Sequence, residues 1–164
     1  MRLRTSLPVL ALVVCLLTGC VRTPAERIYE YEGLTLTLSP AFTDLSKKEA
    51  MKDFTFAFCR GEQYVLGFRE DKASLQKAVP GMTLQTYGEM IIKWNGLTED
   101  LQELHELYFF EYNSPDSTDS PTVCLSAVYE TETAYWTVQT AFPAASADKD
   151  RTEMWEILCN IQTK

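Results

Sequence analysis

Residues 122–142 read TVCLSAVYETETAYWTVQTAF and contain the clearest strand signal in the chain. Two runs rich in β-branched and aromatic residues, 122–130 and 134–142, flank the short polar connection 131–133. Because so short a connection suits a hairpin, the two strands are expected to be antiparallel neighbours. This segment therefore predicts an antiparallel sheet.

The first third of the chain carries a similar signal. Residues 27–31 and the strictly alternating run Leu34–Leu38 flank Glu32 and Gly33, which favour a tight turn. This pattern predicts a hairpin that the Ser-Pro pair at 39–40 brings to an end.

Further segments predict strands in the middle of the chain. In residues 54–58, the sequence Phe-Thr-Phe-Ala-Phe places three phenylalanines on one face of a strand. The turn 60–63 connects this strand to a second one at 64–69. Residues 102–112 form another predicted strand, which precedes the turn-rich segment 113–121.

The central part of the chain predicts helices. Residues 45–51 suit a short helix, and a longer helix is expected over 83–94. Asn95 and Gly96 provide the expected C-terminal stop of that longer helix. Its broad apolar face consists of Leu84, Tyr87, Met90, Ile91 and Trp94.

A last amphipathic helix is predicted from about Asp150. Asp150 and Glu153 have the spacing of a capping box, in which a side chain at the helix start pairs with a carboxylate three residues later. The apolar positions that follow the helical period are Met154, Ile157, Leu158 and Ile161.

The order of these elements is typical of an antiparallel β-sheet covered by helices, an α+β domain with α/β/α layers. It resembles the PsbP-like fold, named for a photosystem II extrinsic subunit, whose members also appear as small bacterial lipoproteins. The resemblance depends on the initial hairpin with GLTLTLSP at 33–40, the helix 83–94, the strand meander, and the closing helix with Ile157 and Ile161. It matches no ligand or partner residue of the family to a position in this chain.

The N-terminal segment has the three-part layout of a secretory signal. Arg2 and Arg4 precede an apolar run at 7–17, which is followed by Thr18, Gly19 and Cys20. The run has 11 residues, about half of the roughly 20 that a membrane-spanning helix needs. We therefore expect this segment to be an export signal and not a permanent membrane span.

The tetrapeptide Leu17-Thr18-Gly19-Cys20 resembles the lipobox of bacterial lipoproteins. The resemblance implies that the thiol of Cys20 receives a diacylglyceryl group and that a signal peptidase cuts between Gly19 and Cys20. It also implies that the new amino group can be acylated. With this cleavage site, we expect residues 1–19 to be a signal peptide, 20–26 a short tether and 27–164 a single domain. Each buried methylene adds about 0.8 kcal/mol and one chain binds only marginally, whereas two or three give a stable anchor. The expected location is the extracytoplasmic face of a cell membrane, with the lipid on Cys20 as the membrane partner.

The alternative is an ordinary cleaved signal peptide in which Cys20, like Cys15, is only a small apolar residue. Such a peptide needs small residues one and three positions before the cut. The nearest candidate, 23–25, places Pro24 between its two small residues.

Charge and size limit the function of the mature part. Loss of Arg2 and Arg4 with the signal leaves 13 Lys and Arg against 23 Asp and Glu over about 145 residues, a formal net charge of −10. This charge argues against nucleic acid as a partner and against adhesion to anionic lipid head groups.

The cysteines of the mature domain, apart from Cys20, are Cys59, Cys124 and Cys159. Their spacing matches neither a redox motif nor a zinc knuckle. One disulfide with a free thiol and three unpaired thiols that pack as small hydrophobes both fit the sequence.

No catalytic or metal motif stands out. The sequence lacks a G-x-S-x-G elbow, and Phe109 occupies the position of the second histidine in H-E-x-x-H after His105 and Glu106. A weaker metal hypothesis joins Glu103, His105 and Glu111 on one side of the strand 102–112, and a calcium hypothesis uses Asp116 and Asp119. Solvated polar residues explain both groups more simply. The strand aromatics Tyr29, Tyr31, Tyr108, Phe110 and Tyr112 suit either a core or a contact surface.

The sequence thus predicts no catalytic residue, no metal site and no cofactor. It favours a lipid-anchored, non-enzymatic binding or accessory module whose partner is an envelope protein or glycan. The alternative is a small cell-envelope hydrolase with an unrecognised pair of carboxylates.

Overall fold

The computed structural model describes residues 25–114 and 121–164. The described strands are β1 (Arg27–Tyr31), β2 (Leu34–Leu38), β3 (Thr43–Asp44), β4 (Phe56–Arg60), β5 (Gln63–Asp71), β6 (Gln102–Leu104), β7 (Leu107–Ser114), β8 (Thr122–Glu130), β9 (Ala134–Pro143) and β10 (Gln162–Thr163). The helices are α1 (Lys72–Ala78), α2 (Leu84–Trp94) and α3 (Ala147–Cys159), and 3-10 turns cover Glu49–Met51 and Ala144–Ser146.

The described strands form two antiparallel sheets. The main sheet has the order β3-β4-β5-β9-β8-β7-β6, and the small sheet has the order β1-β2-β10. The predicted hairpin pairs Thr122 with Pro143 at one end and Glu130 with Tyr135 at the other, which confirms the antiparallel prediction. This hairpin lies at the centre of the main sheet, where β5 and β7 flank it.

The two faces of the main sheet are covered differently. One face, which we name the core face, packs against the three leucines of β2 and against Met154 and Leu158 of α3. Trp136 of β9 lies fully buried in this cluster. On the opposite face, Tyr87 of α2 packs against Val128 and Tyr135. The result is the predicted α+β arrangement, with the small sheet as an additional layer beside α3.

On the core face, the absence of a side chain at Gly67 leaves room for the aromatic ring of Phe56. Phe56 of β4 is paired with Gly67 of β5. A Cβ atom on Gly67 would lie 2.3 Å from two ring atoms of Phe56, which is itself fully buried. The ring also lies 6.1 Å from that of Trp136, so three strands meet at this contact.

Helix α3 is fixed to the main sheet by an ion pair as well as by its apolar face. The guanidinium of Arg60 donates to both carboxylate oxygens of Glu153, at 2.7 and 2.6 Å, and to Gln63 Oε1 at 2.7 Å. It also lies 4.8 Å from the ring centroid of Phe42. The hydrogen bonds from Arg60 lower the pKa of Glu153, and those to Glu153 raise the pKa of Arg60.

Several predicted boundaries were wrong. In place of the helix 45–51, the chain forms a 3-10 turn at Glu49–Met51. Phe54 precedes β4 instead of sharing a face with Phe56 and Phe58. The strand 102–112 is a hairpin, because His105 and Glu106 adopt φ values of 50° and 68° and form the turn between β6 and β7.

The helices also differ from prediction in detail. Helix α1 was not predicted, and α3 begins before Asp150, which has no role as an N-cap. The start of α2 was predicted correctly, since the Thr83 hydroxyl accepts from the amide of Thr86 at 3.2 Å. Trp94 was assigned to the buried face of α2, but 60% of its surface is exposed and Gly88 is buried instead. Helical periodicity identifies an apolar face but not which of its edges meets the sheet.

We expect Gly67→Ala to lower the free energy of unfolding by about 1–3 kcal/mol, because the added methyl group overpacks the fully buried ring of Phe56. Urea unfolding would measure this loss. In a Phe56→Leu background the ring is gone, so the same substitution should cost clearly less. An equal cost in both backgrounds would contradict the proposed contact.

Candidate ligand-binding cleft

A cleft of about 500 Å³ lies on the face of the main sheet opposite the core face. We name this second face the cleft face. Helix α2 borders the cleft with Ile91 and, just after its end, with Asn95 and Leu97. The segment before β4 forms the other border, with Asp53, Phe54 and Thr55. Between these borders the sheet itself is the floor.

The floor follows from the alternation of side chains along four neighbouring strands. Strand register places Leu66 beside Gln139, Gln139 beside Ser126, and Ser126 beside Phe110. The floor residues are Leu66, Phe68 and Glu70 of β5, Thr137 and Gln139 of β9, Ser126 of β8, and Phe110 and Tyr112 of β7. Polar side chains of β5, β8 and β9 thus lie on the floor among aromatic side chains.

One polar group of the floor is centred on Gln139. Tyr112 donates its hydroxyl proton to Gln139 Oε1 at 3.0 Å. Burial raises the pKa of Tyr112 above its ordinary value, so the hydroxyl stays a donor at neutral pH. Because Oε1 of Gln139 accepts this bond, its amide group is oriented with Nε2 as a donor toward other groups.

A second polar group joins Glu70, Tyr87 and Thr137. The hydroxyl of Tyr87 donates to Glu70 Oε2 at 2.7 Å and lies 3.0 Å from Thr137 Oγ1. Burial raises the pKa of Tyr87 well above its ordinary value, which keeps this hydroxyl protonated. The ring of Tyr87 stacks on Tyr135 at 5.0 Å, and Tyr135 donates to the carbonyl of Met82 at 3.1 Å. Helix α2 therefore holds the Glu70 carboxylate in a fixed position at the edge of the cleft.

Ser126 supplies a further polar group. Its residue surface is only 1% exposed, and it lies on the floor of the cleft. Strand register places Ser126 beside Gln139 on one side and Phe110 on the other. Its hydroxyl group therefore lies among the other polar groups of the floor.

Aromatic rings lie around the polar groups of the cleft. Phe54 packs against Phe68 with ring centroids 4.4 Å apart, and Phe110 lies 6.1 Å from Tyr112 in a stacked arrangement. Apolar walls with a few convergent polar groups are typical of small-molecule sites, and a volume of about 500 Å³ falls in their usual range of roughly 300–1,000 Å³.

The residues of the metal hypotheses are not brought together. Glu103 and His105 no longer share a strand, because His105 is in the turn between β6 and β7. Glu111 forms an ion pair with Arg151 of α3 on the core-face side. Within the described parts of the chain, no three His, Cys, Asp or Glu residues form a group that could hold a metal ion. Asp116, Asp119 and Cys20 lie outside the described residues.

The three thiols of the domain are unpaired. Cys124 is buried next to Tyr112 and Gln139, and burial raises its pKa, so it packs as the small hydrophobe that the sequence suggested. Cys59 is half-buried, whereas Cys159 is exposed and does not fit that expectation.

The predicted aromatic set divides between the two faces. Tyr29 and Tyr31 pack on Phe58 and Phe56 at the core face. Phe110 and Tyr112 belong to the cleft. Sequence inspection missed Glu70, Ser126, Thr137 and Gln139. Their signal is present as polar residues at alternate positions of apolar strands, but only the strand register shows that they meet.

The whole chain was also compared with known proteins. The solution structure of cyanobacterial PsbP (CyanoP) from Synechocystis sp. PCC 6803 superimposes with a TM-score of 0.62 at 11% identity, over 89% of this chain and 96% of that chain. The chain has a PsbP-like fold. This confirms the fold predicted from the order of elements, and at 11% identity the likeness shows the PsbP-like fold alone.

Comparisons with protein-family models and with curated protein sequences give no match. Within the described ranges of this PsbP-like chain, none of the helices is long and apolar enough to cross a bilayer.

Tyr87→Phe tests the anchoring of Glu70. The substitution keeps the ring stack on Tyr135 but leaves the Glu70 carboxylate and the Thr137 hydroxyl without their shared partner, so we expect a loss of about 1–2 kcal/mol in unfolding free energy. The matched control is Tyr64→Phe on β5. The Tyr64 hydroxyl makes no hydrogen bond within the described chain, and its removal should change stability by less than about 0.5 kcal/mol. Equal stability of Tyr87→Phe and the wild type in urea would exclude this role.

Proposed function

We propose that this protein is a non-enzymatic binding or accessory module held at the extracytoplasmic face of a cell membrane by a lipid on Cys20, with the cleft as its ligand-contacting surface. The main support for a binding role is that the cleft combines aromatic rings with polar groups of fixed orientation. Tyr112, Gln139, Glu70 and Thr137 are held by hydrogen bonds before any ligand arrives. Such pre-organisation lowers the entropic cost of binding.

One solved structure with this fold is that of a cyanobacterial PsbP. We take this shared fold as support for an accessory role of the present chain. Support for the location comes from the sequence Leu17-Thr18-Gly19-Cys20 and from the charged and apolar segments that precede it.

The alternative function, hydrolysis by two carboxylates, is less well supported by the cleft. Asp53 and Glu70 are the two carboxylic acids among its lining residues. Glu70 already accepts a hydrogen bond from Tyr87, and Asp53 lies on the exposed border rather than on the floor. The chain's single histidine, His105, lies in a separate groove with Glu106, Glu130 and Cys159. This arrangement favours binding over acid–base chemistry.

Cys20→Ala tests the anchor. Removal of the thiol eliminates the site of thioether formation, so we expect loss of metabolically incorporated fatty acid and release of the protein from the membrane fraction. Cys15→Ala is the matched control and should leave both properties unchanged. Continued lipid labelling and membrane retention of the Cys20 variant would refute the anchor.

Thr55→Trp tests the cleft as the contact surface. Thr55 is exposed on the border of the cleft, so an indole at this position should obstruct the opening without disturbing the core. We expect the immobilised full chain to retain a specific component of a cell-envelope extract, and the Thr55 variant to retain at least about tenfold less, because the indole excludes the ligand from the opening.

The matched control is Thr152→Trp, which places the same side chain on the exposed side of α3, beyond the core face. It should retain the component as the wild type does. Equal retention by the Thr55 and Thr152 variants would show that the cleft is not the contact surface.

A further inference from the structure

The charged side chains that face the cleft are acidic. Its acidic side chains are Asp53 at the border and Glu70 at the floor. Arg69 also borders the cleft, but alternation along β5 directs its side chain to the other face of the sheet, where its guanidinium lies 2.5 Å from Glu32 Oε2. No Lys or Arg side chain among the described residues that line the cleft faces its interior.

The aromatic rings of the cleft favour the same kind of ligand as its negative charge does. Phe54, Phe68, Phe110 and Tyr112 present ring surfaces around the same volume. The faces of aromatic rings attract cations, and this attraction adds to that of nearby carboxylates when water is partly excluded. Both features favour a positively charged group on an apolar body and disfavour an anion.

The hydrogen-bonding groups of the floor show where such a ligand would be held. Glu70 uses Oε2 for the bond from Tyr87, so Oε1 stays free to accept from a donor in the cleft. The hydroxyl of Ser126, which also lines the cleft, is a second group that can accept a hydrogen bond. A protonated amine carries up to three donors and no acceptor, which suits this set.

On the basis of the proposed binding function, we infer that the cleft binds a small organic amine with an apolar or aromatic body. The ammonium group pairs with the Glu70 carboxylate, and the body packs between Phe54, Phe68 and Phe110. A volume of about 500 Å³ has room for one such molecule.

The test uses three ligands of nearly equal shape and different charge: 2-phenylethylamine, 2-phenylethanol and phenylacetate. Calorimetric titration of the full chain should give an affinity for the amine about tenfold higher than for the alcohol, with the acid weakest. Higher salt should weaken binding of the amine and leave that of the alcohol unchanged.

Two variants test whether the amine binds in the cleft. Glu70→Gln keeps an oxygen that accepts from Tyr87 but removes the charge, and it should reduce the affinity for the amine about tenfold while leaving that for the alcohol within about twofold. Asp53→Asn removes a charge at the exposed border, where solvent screens it, and should reduce the affinity about two- to threefold. The matched control Glu156→Gln changes the net charge equally on α3, across the sheet, and should have no effect.

Equal affinities for the three ligands, or failure of all three to bind, would overturn the preference for an amine. So would an amine affinity that is insensitive to both Glu70→Gln and Asp53→Asn. These results are distinguishable from failure of the proposed function, because a Thr55→Trp variant that still loses its envelope component would show that the cleft binds a ligand of another charge. Melting temperatures of the variants within about 2 °C of the wild type would exclude misfolding as the cause.

Discussion

Burial of the core face is the constraint on which the rest of this structure depends. The leucines of β2 and the apolar side of α3 pack on that face, where the rings of Phe56 and Trp136 are fully buried. Because side chains alternate along a strand, a shift of one residue in any central strand would expose this cluster. Packing of the core face therefore fixes the strand register. The same register determines which side chains lie on the other face.

The cleft results from this register and from the incomplete coverage of the second face by helices. Helices α1 and α2 cover only part of the second face, and the remaining part stays open between α2 and the segment before β4. The interior positions there are held by Glu70, Ser126, Thr137 and Gln139, where the core face carries apolar residues. Polar groups on the floor of an apolar sheet are costly unless they are satisfied, and three of these four are satisfied by tyrosine hydroxyl groups. The proposed binding role rests on the placement of these groups.

The two levels of the functional proposal have separate physical origins. Attachment to a membrane depends on a lipid and on a short motif, and it makes no demand on the folded domain. Binding depends on the open half of the sheet and makes no demand on the anchor. The two faces of the sheet reflect this division, because β2 and α3 pack on the core face and the cleft lies on the other face.

The sequence by itself determined the local elements: the antiparallel hairpin of β8 and β9, the turn at Glu32 and Gly33, the N-cap of α2 at Thr83, and the α+β order that identified the fold. These features depend on periodicity and turn chemistry over a few residues, which one chain segment contains entirely. Only the tertiary structure decided that Phe54 borders the cleft, that His105 occupies a turn, and that Tyr87 meets Glu70 and Thr137 across separations of 17 and 50 residues. The physical reason is that alternation assigns a side chain to a face, whereas its neighbours on that face are set by strand register and helix docking, which depend on the packing of the whole core.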